Sequence, residues 1–170
     1  MRLHLPLEPE AAVLVSVGAW TVIGVGTGYI ASRLPMSVVG HDSWLTRIRP
    51  FEDHGRLYQR RLRISRWQAR LPEAGGLFPG GTSKRHLGGT GDASLTAFAA
   101  ETRRAEIVHW ANIAAAPFFF IWCPPVIGAV MVAFAVVVHL PFICIQRSNR
   151  GRIGAVLDGR RRRRRRPSQS

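Results

Sequence analysis

Ile107-Val-His-Trp-Ala-Asn-Ile-Ala-Ala-Ala-Pro-Phe-Phe-Phe-Ile-Trp-Cys-Pro-Pro-Val126 opens a run of 40 residues, Ile107 to Gln146, with no acidic or basic side chain except His109 and His139. The doublet Pro124-Pro125 decides how that run folds. Two successive prolines remove two amide donors and their rings clash with the preceding turn, so one helix cannot pass through them. The run divides into residues 107–123 and 126–145, or 17 and 20 residues. At ~1.5 Å per residue the second arm matches a hydrocarbon core of ~30 Å, and the first falls short. The expectation is a helical hairpin turning at Cys123-Pro-Pro125, whose first arm either crosses the bilayer or re-enters it.

Upstream lies a second apolar block, Ala11 to Ser32, 22 residues without a charge. It predicts a transmembrane helix of about 11–34. Glu8-Pro-Glu10 precedes it in place of a basic segment, and the block is too long for a signal peptide, so it reads as a retained anchor. Gly24 and Gly28 form a small-xxx-small pair that lets a second helix approach; a glycine-rich span without a specific partner accounts for them equally well. Arg103 and Arg104 precede the hairpin, and Arg147, Arg150 and Arg152 follow it. By the positive-inside rule residues 33–106 and the C-terminus are cytoplasmic and the acidic N-terminus is outside. The fold class is therefore all-α: a polytopic, multi-pass protein of the cell membrane. Its N-terminal transmembrane helix and C-terminal Pro-Pro hairpin are joined by a cytoplasmic, partly helical amphipathic region.

A length of 170 residues allows one domain, placed at 1–157. The net charge of +14 is uneven, with ten arginines against one aspartate in residues 146–170. Residues 158–170, with Arg160 to Arg166, read as a disordered Arg-rich tail. Directly after a membrane exit such a tail is attracted to anionic lipid at roughly 1 kcal/mol per basic residue. Nucleic acid is not an expected partner, because no aromatic stacking platform lies beside it. Arginine outnumbers lysine 23 to 1, which reflects a GC-rich genome rather than chemistry.

Between the apolar blocks, Arg56 to Leu71 reads as one basic amphipathic helix at the membrane interface, with Leu57, Ile64, Trp67 and Leu71 on its apolar side. A soluble helix packed on the polar region is the alternative. Pro72 to Gly91 reads as a loop. Its Gly80-Gly-Thr-Ser-Lys84 lacks the Gly-Lys-Ser/Thr order of a nucleotide triphosphate site. Lys84, Arg85 and His86 either grip an anionic head group or belong to a solvated loop. A helix is predicted to resume near Ser94 as N-cap and to run through Trp110 into the membrane.

The border of that helix carries Glu101-Thr-Arg-Arg-Ala-Glu-Ile-Val-His-Trp110. Polar groups where a chain leaves water for lipid point to function, and to a substrate half lipid and half polar. Thr102, Glu106 and His109 share a helix face, and Glu101 and Arg104 are i, i+3 neighbours. Glu106 is positioned to hold the His109 imidazole as a general base; a surface ion pair with a histidine at the interface fits the same spacing. A lone Glu-x-x-His lacks the second copy that a di-iron bundle needs. His139, followed by Leu140-Pro141, is either catalytic or bonded to a carbonyl freed by the proline. Cys123 and Cys144 read as packing residues, and no metal site is expected.

These residues resemble the glycosyl-4,4'-diaponeurosporenoate acyltransferase family, the membrane enzymes of staphyloxanthin-type carotenoid synthesis. The resemblance is carried by Arg33-Leu-Pro35, Phe51-Glu-Asp-His-Gly55, Arg66-Trp67 with Leu71-Pro72, Ser83-Lys84 with His86-Leu87, Glu101 to Trp110, and Gln146-Arg147 with Asn149-Arg150. It spans about residues 11–157. It departs from the family pattern at His139, where the family has Asn, and at Ser148, where it has Tyr. The resemblance implies an O-acyltransferase that esterifies a sugar hydroxyl of a glycosylated carotenoid, or a related glycolipid, with a fatty acyl group.

Read with the resemblance, His109, Glu106 and Glu101 are the candidate catalytic residues. Arg103, Arg104, Trp110, Gln146, Arg147, Asn149, Arg150, Lys84 and His86 are the candidates for substrate binding. The arginines would hold donor phosphates or an oxyanion. No cofactor is implied beyond an activated acyl donor such as a thioester; the partners are membrane lipids, the glycosylated acceptor and that donor. A membrane adaptor without enzymatic activity, gathering anionic lipid or proteins on its basic faces, is the competing class.

Overall fold

The computed structural model describes residues 7–70 and 91–165. The candidates Lys84 and His86, the Gly80–Lys84 run and the motif residues Leu71-Pro72 lie outside these. Among the described residues every regular element is helical.

Helix α1 spans Pro9–Ser32, with a proline at its first position, where no amide partner is needed. Its aliphatic side chains point outward: Leu14 is 74% and Val22 72% exposed. Its small and polar residues face the rest of the chain. Ser16, Gly28 and Ala31 are buried, the Trp122 indole N–H donates to Ser16 Oγ at 3.0 Å, and Asn112 Nδ2 donates to Thr27 Oγ1 at 3.0 Å. Trp20 packs on Phe119, ring centroids 4.7 Å apart. The expected small-residue pair divides: Gly28 is buried, whereas nothing lies within 4 Å of a Cβ built on Gly24.

The hairpin forms, with its turn before Pro125. Helix α5 covers Asp92–Ala115, a 3-10 stretch continues from Ala116 to Ile121, and α6 runs Pro125–Arg165. Among the described residues two helices, α1 and α6, are long and apolar enough to cross a membrane. The apolar part of α5 is not among them, because it tightens into the 3-10 stretch at Ala116-Pro117. That stretch folds back so closely that a Cβ on Gly128 of α6 would lie 2.4 Å from the Phe120 ring.

Two boundaries differ from the sequence expectation. Helix α5 begins at Asp92 with Gly91 as N-cap, not at Ser94. The Asp92 carboxylate sits on the helix N-terminus and pairs with Arg160 at 2.8 Å and Arg164 at 3.4 Å. Helix α6 continues to Arg165, so residues 158–165 of the expected tail are helical, while 166–170 lie outside the described residues; 41 residues at ~1.5 Å carry the arginine run roughly 30 Å beyond the apolar half.

Between α1 and α5 come α2 (Met36–Val39), a 3-10 turn (Pro50–Glu52), α3 (Arg56–Leu62) and α4 (Ile64–Trp67). The single helix expected over 56–71 is broken at Arg63, which is left-handed with φ 48°. The break turns Ile64 fully inward. Side chains replace the lost ladder: Gln59 Oε1 accepts from the Ser65 amide at 3.1 Å, and the Trp67 indole donates to the Leu62 carbonyl at 2.7 Å.

Asp53, His54 and Gly55 are left-handed in succession. This sharp corner lets backbone touch backbone, since a Cβ on Gly151 of α6 would lie 2.3 Å from the His54 carbonyl oxygen. Gly151→Ala is therefore expected to destabilise by about 1–3 kcal/mol or more through overpacking against rigid backbone. Gly154→Ala, where nothing lies within 4 Å, is expected to be neutral or up to ~1 kcal/mol stabilising. Thermal unfolding of the two variants in detergent distinguishes them.

Candidate functional site at the hairpin

Two polar clusters lie between α5 and α6, one above the other along the bundle. The upper one is ionic. Glu106 on α5 receives Arg147 Nη1 at 2.6 Å on one carboxylate oxygen and Arg150 Nη2 at 2.5 Å on the other. Arg147 reaches in the opposite direction to Glu52, with Nε at 2.9 Å and Nη2 at 2.5 Å. It also donates to the Leu45 and Arg47 carbonyls, and Arg150 to the Thr46 carbonyl. Glu52 accepts the Arg49 amide at 2.8 Å and the Tyr58 hydroxyl at 2.7 Å. Glu52 and Glu106 are completely buried, and both arginines nearly so. Two negative and two positive charges thus balance in a site closed to water, which is the condition for burying them at all.

The titration of these groups follows from that packing. Burial opposes ionisation of Glu52, but hydrogen bonds from Arg147, the Arg49 amide and Tyr58 prevail, and its pKa lies below the ordinary value of 4.5. Burial and the adjacent Glu52 carboxylate push the Tyr58 hydroxyl up.

The lower cluster is a histidine pair. His109 Nδ1 lies 3.0 Å from His139 Nδ1, and the His109 ring stacks on Phe142, centroids 4.8 Å apart and planes 14° apart. Glu106 does not hold His109, as spacing alone suggested; the arginines of α6 claim both of its oxygens. The sequence signal for the true partner was present in the two histidines of an otherwise uncharged 40-residue run. What spacing could not supply was the register of the hairpin.

Several expected substrate-binding groups have protein partners. Arg104 donates to the Ala31 and Leu34 carbonyls at the end of α1 and pairs with Glu101 at 3.3 Å. Arg103 pairs with Asp42 at 2.7 Å and donates to the Val39 and Gly40 carbonyls closing α2. Both arginines therefore cap helix C-termini, a favourable place for a cation. The Trp110 indole donates to Glu106 at 3.3 Å. Gln146 and Asn149 differ: both are half-buried and make no side-chain hydrogen bond among the described residues. Glu52, Tyr58 and Gln59, which donates to the buried Ser148 hydroxyl at 3.2 Å, were not among the expected site residues.

The chain matches the family model described as glycosyl-4,4'-diaponeurosporenoate acyltransferase over residues 41–159. A protein of that name from Staphylococcus haemolyticus (strain JCSC1435) is 30% identical over 140 residues, covering 82% of this chain and 81% of its own length. Relatives of the same name from Staphylococcus aureus strains MRSA252 and bovine RF122 / ET3-1 are 24% and 23% identical, each over 81% of this chain and 83% of their own. No solved structure matches the chain.

Two outcomes test the ionic cluster. Glu106→Ala leaves two guanidiniums buried without their shared carboxylate and is expected to cost about 3–5 kcal/mol in a detergent unfolding assay. Because the folded pKa of Glu52 is depressed, its stabilisation is present above 4.5 and lost as pH falls through the lower folded value. A scan of melting temperature below pH 4.5 should fall more steeply for the wild type than for Glu52→Gln.

Proposed function

Because the chain belongs to the glycosyl-4,4'-diaponeurosporenoate acyltransferase family, we propose that it is a membrane O-acyltransferase esterifying a sugar hydroxyl of a glycosylated carotenoid with a fatty acyl group. The observation that carries the chemistry is the half-buried His109 imidazole, held by His139 and Phe142 at the border of the apolar hairpin. A base placed there meets a hydroxyl whose sugar is at the head-group level and whose polyene lies in lipid. His109 takes the hydroxyl proton as the oxygen attacks the acyl carbonyl of an activated donor, such as a thioester. Collapse of the tetrahedral intermediate forms the ester and expels the thiolate, which takes the proton back from His109. The donor supplies the activation, so the reaction runs without a resident cofactor.

His139, Phe142, Gln146 and Asn149 lie within about 80° of arc on α6, at ~100° per residue. The amides of Gln146 and Asn149, without protein partners among the described residues, suit a neutral sugar better than Arg103, Arg104 and Arg147, whose hydrogen bonds go to carboxylates and carbonyls. On this reading Glu101, Glu106, Arg103, Arg104, Arg147 and Arg150 hold the scaffold, and Trp110 braces Glu106. In the proposed orientation α1 crosses the cell membrane and the hairpin of α5 and α6 enters and leaves it on the cytoplasmic side, with the N-terminus outside and the polar region and C-terminus cytoplasmic. Trp44, 76% exposed beside Arg49, and Phe51 suit the head-group layer.

The test is a host lacking the gene, complemented with either wild type or His109→Gln. Mass spectrometry of its lipid extract is expected to show the acylated glycolipid restored by wild type, and the unacylated precursor with His109→Gln at equal membrane abundance. Restored ester with the variant removes His109 from the mechanism.

A further inference from the structure

We propose that His139 is the positioning residue of this reaction: it accepts the Nδ1–H of His109 and so fixes the tautomer in which His109 is a base. The inference rests on the acyl-transfer reading. The two Nδ1 atoms are 3.0 Å apart, a hydrogen-bond distance, and only one proton fits between them. If His139 is the donor, His109 carries its proton on Nε2 and has no lone pair left for a substrate. If His109 is the donor, its Nε2 is free to receive the hydroxyl proton. The second arrangement also survives the reaction. Once Nε2 is protonated, both nitrogens of His109 carry hydrogen, and Nδ1–H still points at an acceptor; the first arrangement would then set two N–H groups against each other.

The pairing is built from both helices. The Phe142 ring lies one turn beyond His139 on α6 and stacks on His109, restricting rotation about its χ2. The Glu106 carboxylate, the nearest acid on the His109 face of α5, is held by Arg147 and Arg150 and does not compete for the imidazole. His139 thus takes the role that an acid plays in a hydrolase triad, but as a neutral acceptor suited to an apolar hairpin.

An asparagine tests this directly, because its Oδ1 falls where the His139 Nδ1 sits and accepts the same proton. In purified, lipid-reconstituted enzyme, His139→Asn is expected to keep kcat within about threefold, whereas His139→Leu lowers kcat by roughly 100-fold or more at unchanged KM. Histidine 15N NMR should show His109 with its proton on Nδ1 in the wild type and in His139→Asn, and not fixed there in His139→Leu. The wild-type tautomer needs no variant, so a misfolded His139→Leu leaves the proposal testable. His109 protonated on Nε2 in the wild type, or His139→Leu turning over within twofold of wild type, overturns the role of His139 alone. Absence of transfer by the wild type, with the Nδ1–H tautomer in place, overturns the acyl-transfer reading and the role with it.

Discussion

Glu106 accepting two arginines from α6 is the interaction on which the rest of the arrangement depends. It is made at the border of the apolar hairpin, between a helix that carries one buried carboxylate and a helix that carries two buried guanidiniums. Neither helix can present these groups to an apolar neighbour alone, because an unpaired buried charge costs several kcal/mol. The pairing therefore sets the register of the hairpin. Once that register is set, His109 comes opposite His139. Arg147 extends the same lock to Glu52, which ties the polar region between α1 and α5 to the hairpin.

This changes how the charged border block is understood. Glu101, Arg103, Arg104, Glu106, Arg147 and Arg150 look like a ligand-binding cluster in the sequence, since polar groups at a lipid border are costly. In the structure their partners are largely one another, helix-end carbonyls and backbone of the 45–52 segment. The cost is met by the fold. Near the hairpin border the side-chain groups without a protein partner among the described residues include the amides of Gln146 and Asn149 and, buried beside Glu106, Nε and Nη1 of Arg150.

Much of the architecture was legible. The uncharged lengths gave the long first helix and the long second arm, and the proline doublet gave the turn, because those features act locally. Arg63 was not legible as a helix break, since its left-handed backbone is fixed by burial of Ile64 and by side-chain caps from Gln59 and Trp67. Nor was the helical extension to Arg165, where Asp92 of another helix pairs with Arg160 and Arg164. For the site, spacing identified His109 and Glu106 as neighbours on one helix face. It could not show that a cation from a distant segment outcompetes the imidazole for the carboxylate.

The most direct test of the account is transfer by the purified protein. Reconstituted in lipid nanodiscs, it would be given a glycosylated carotenoid and a fatty acyl thioester, and the acceptor followed by mass spectrometry. The expected product is heavier than the acceptor by one fatty acid minus water, with one thiol released per ester formed. Unchanged acceptor in the presence of folded protein and both substrates would contradict it.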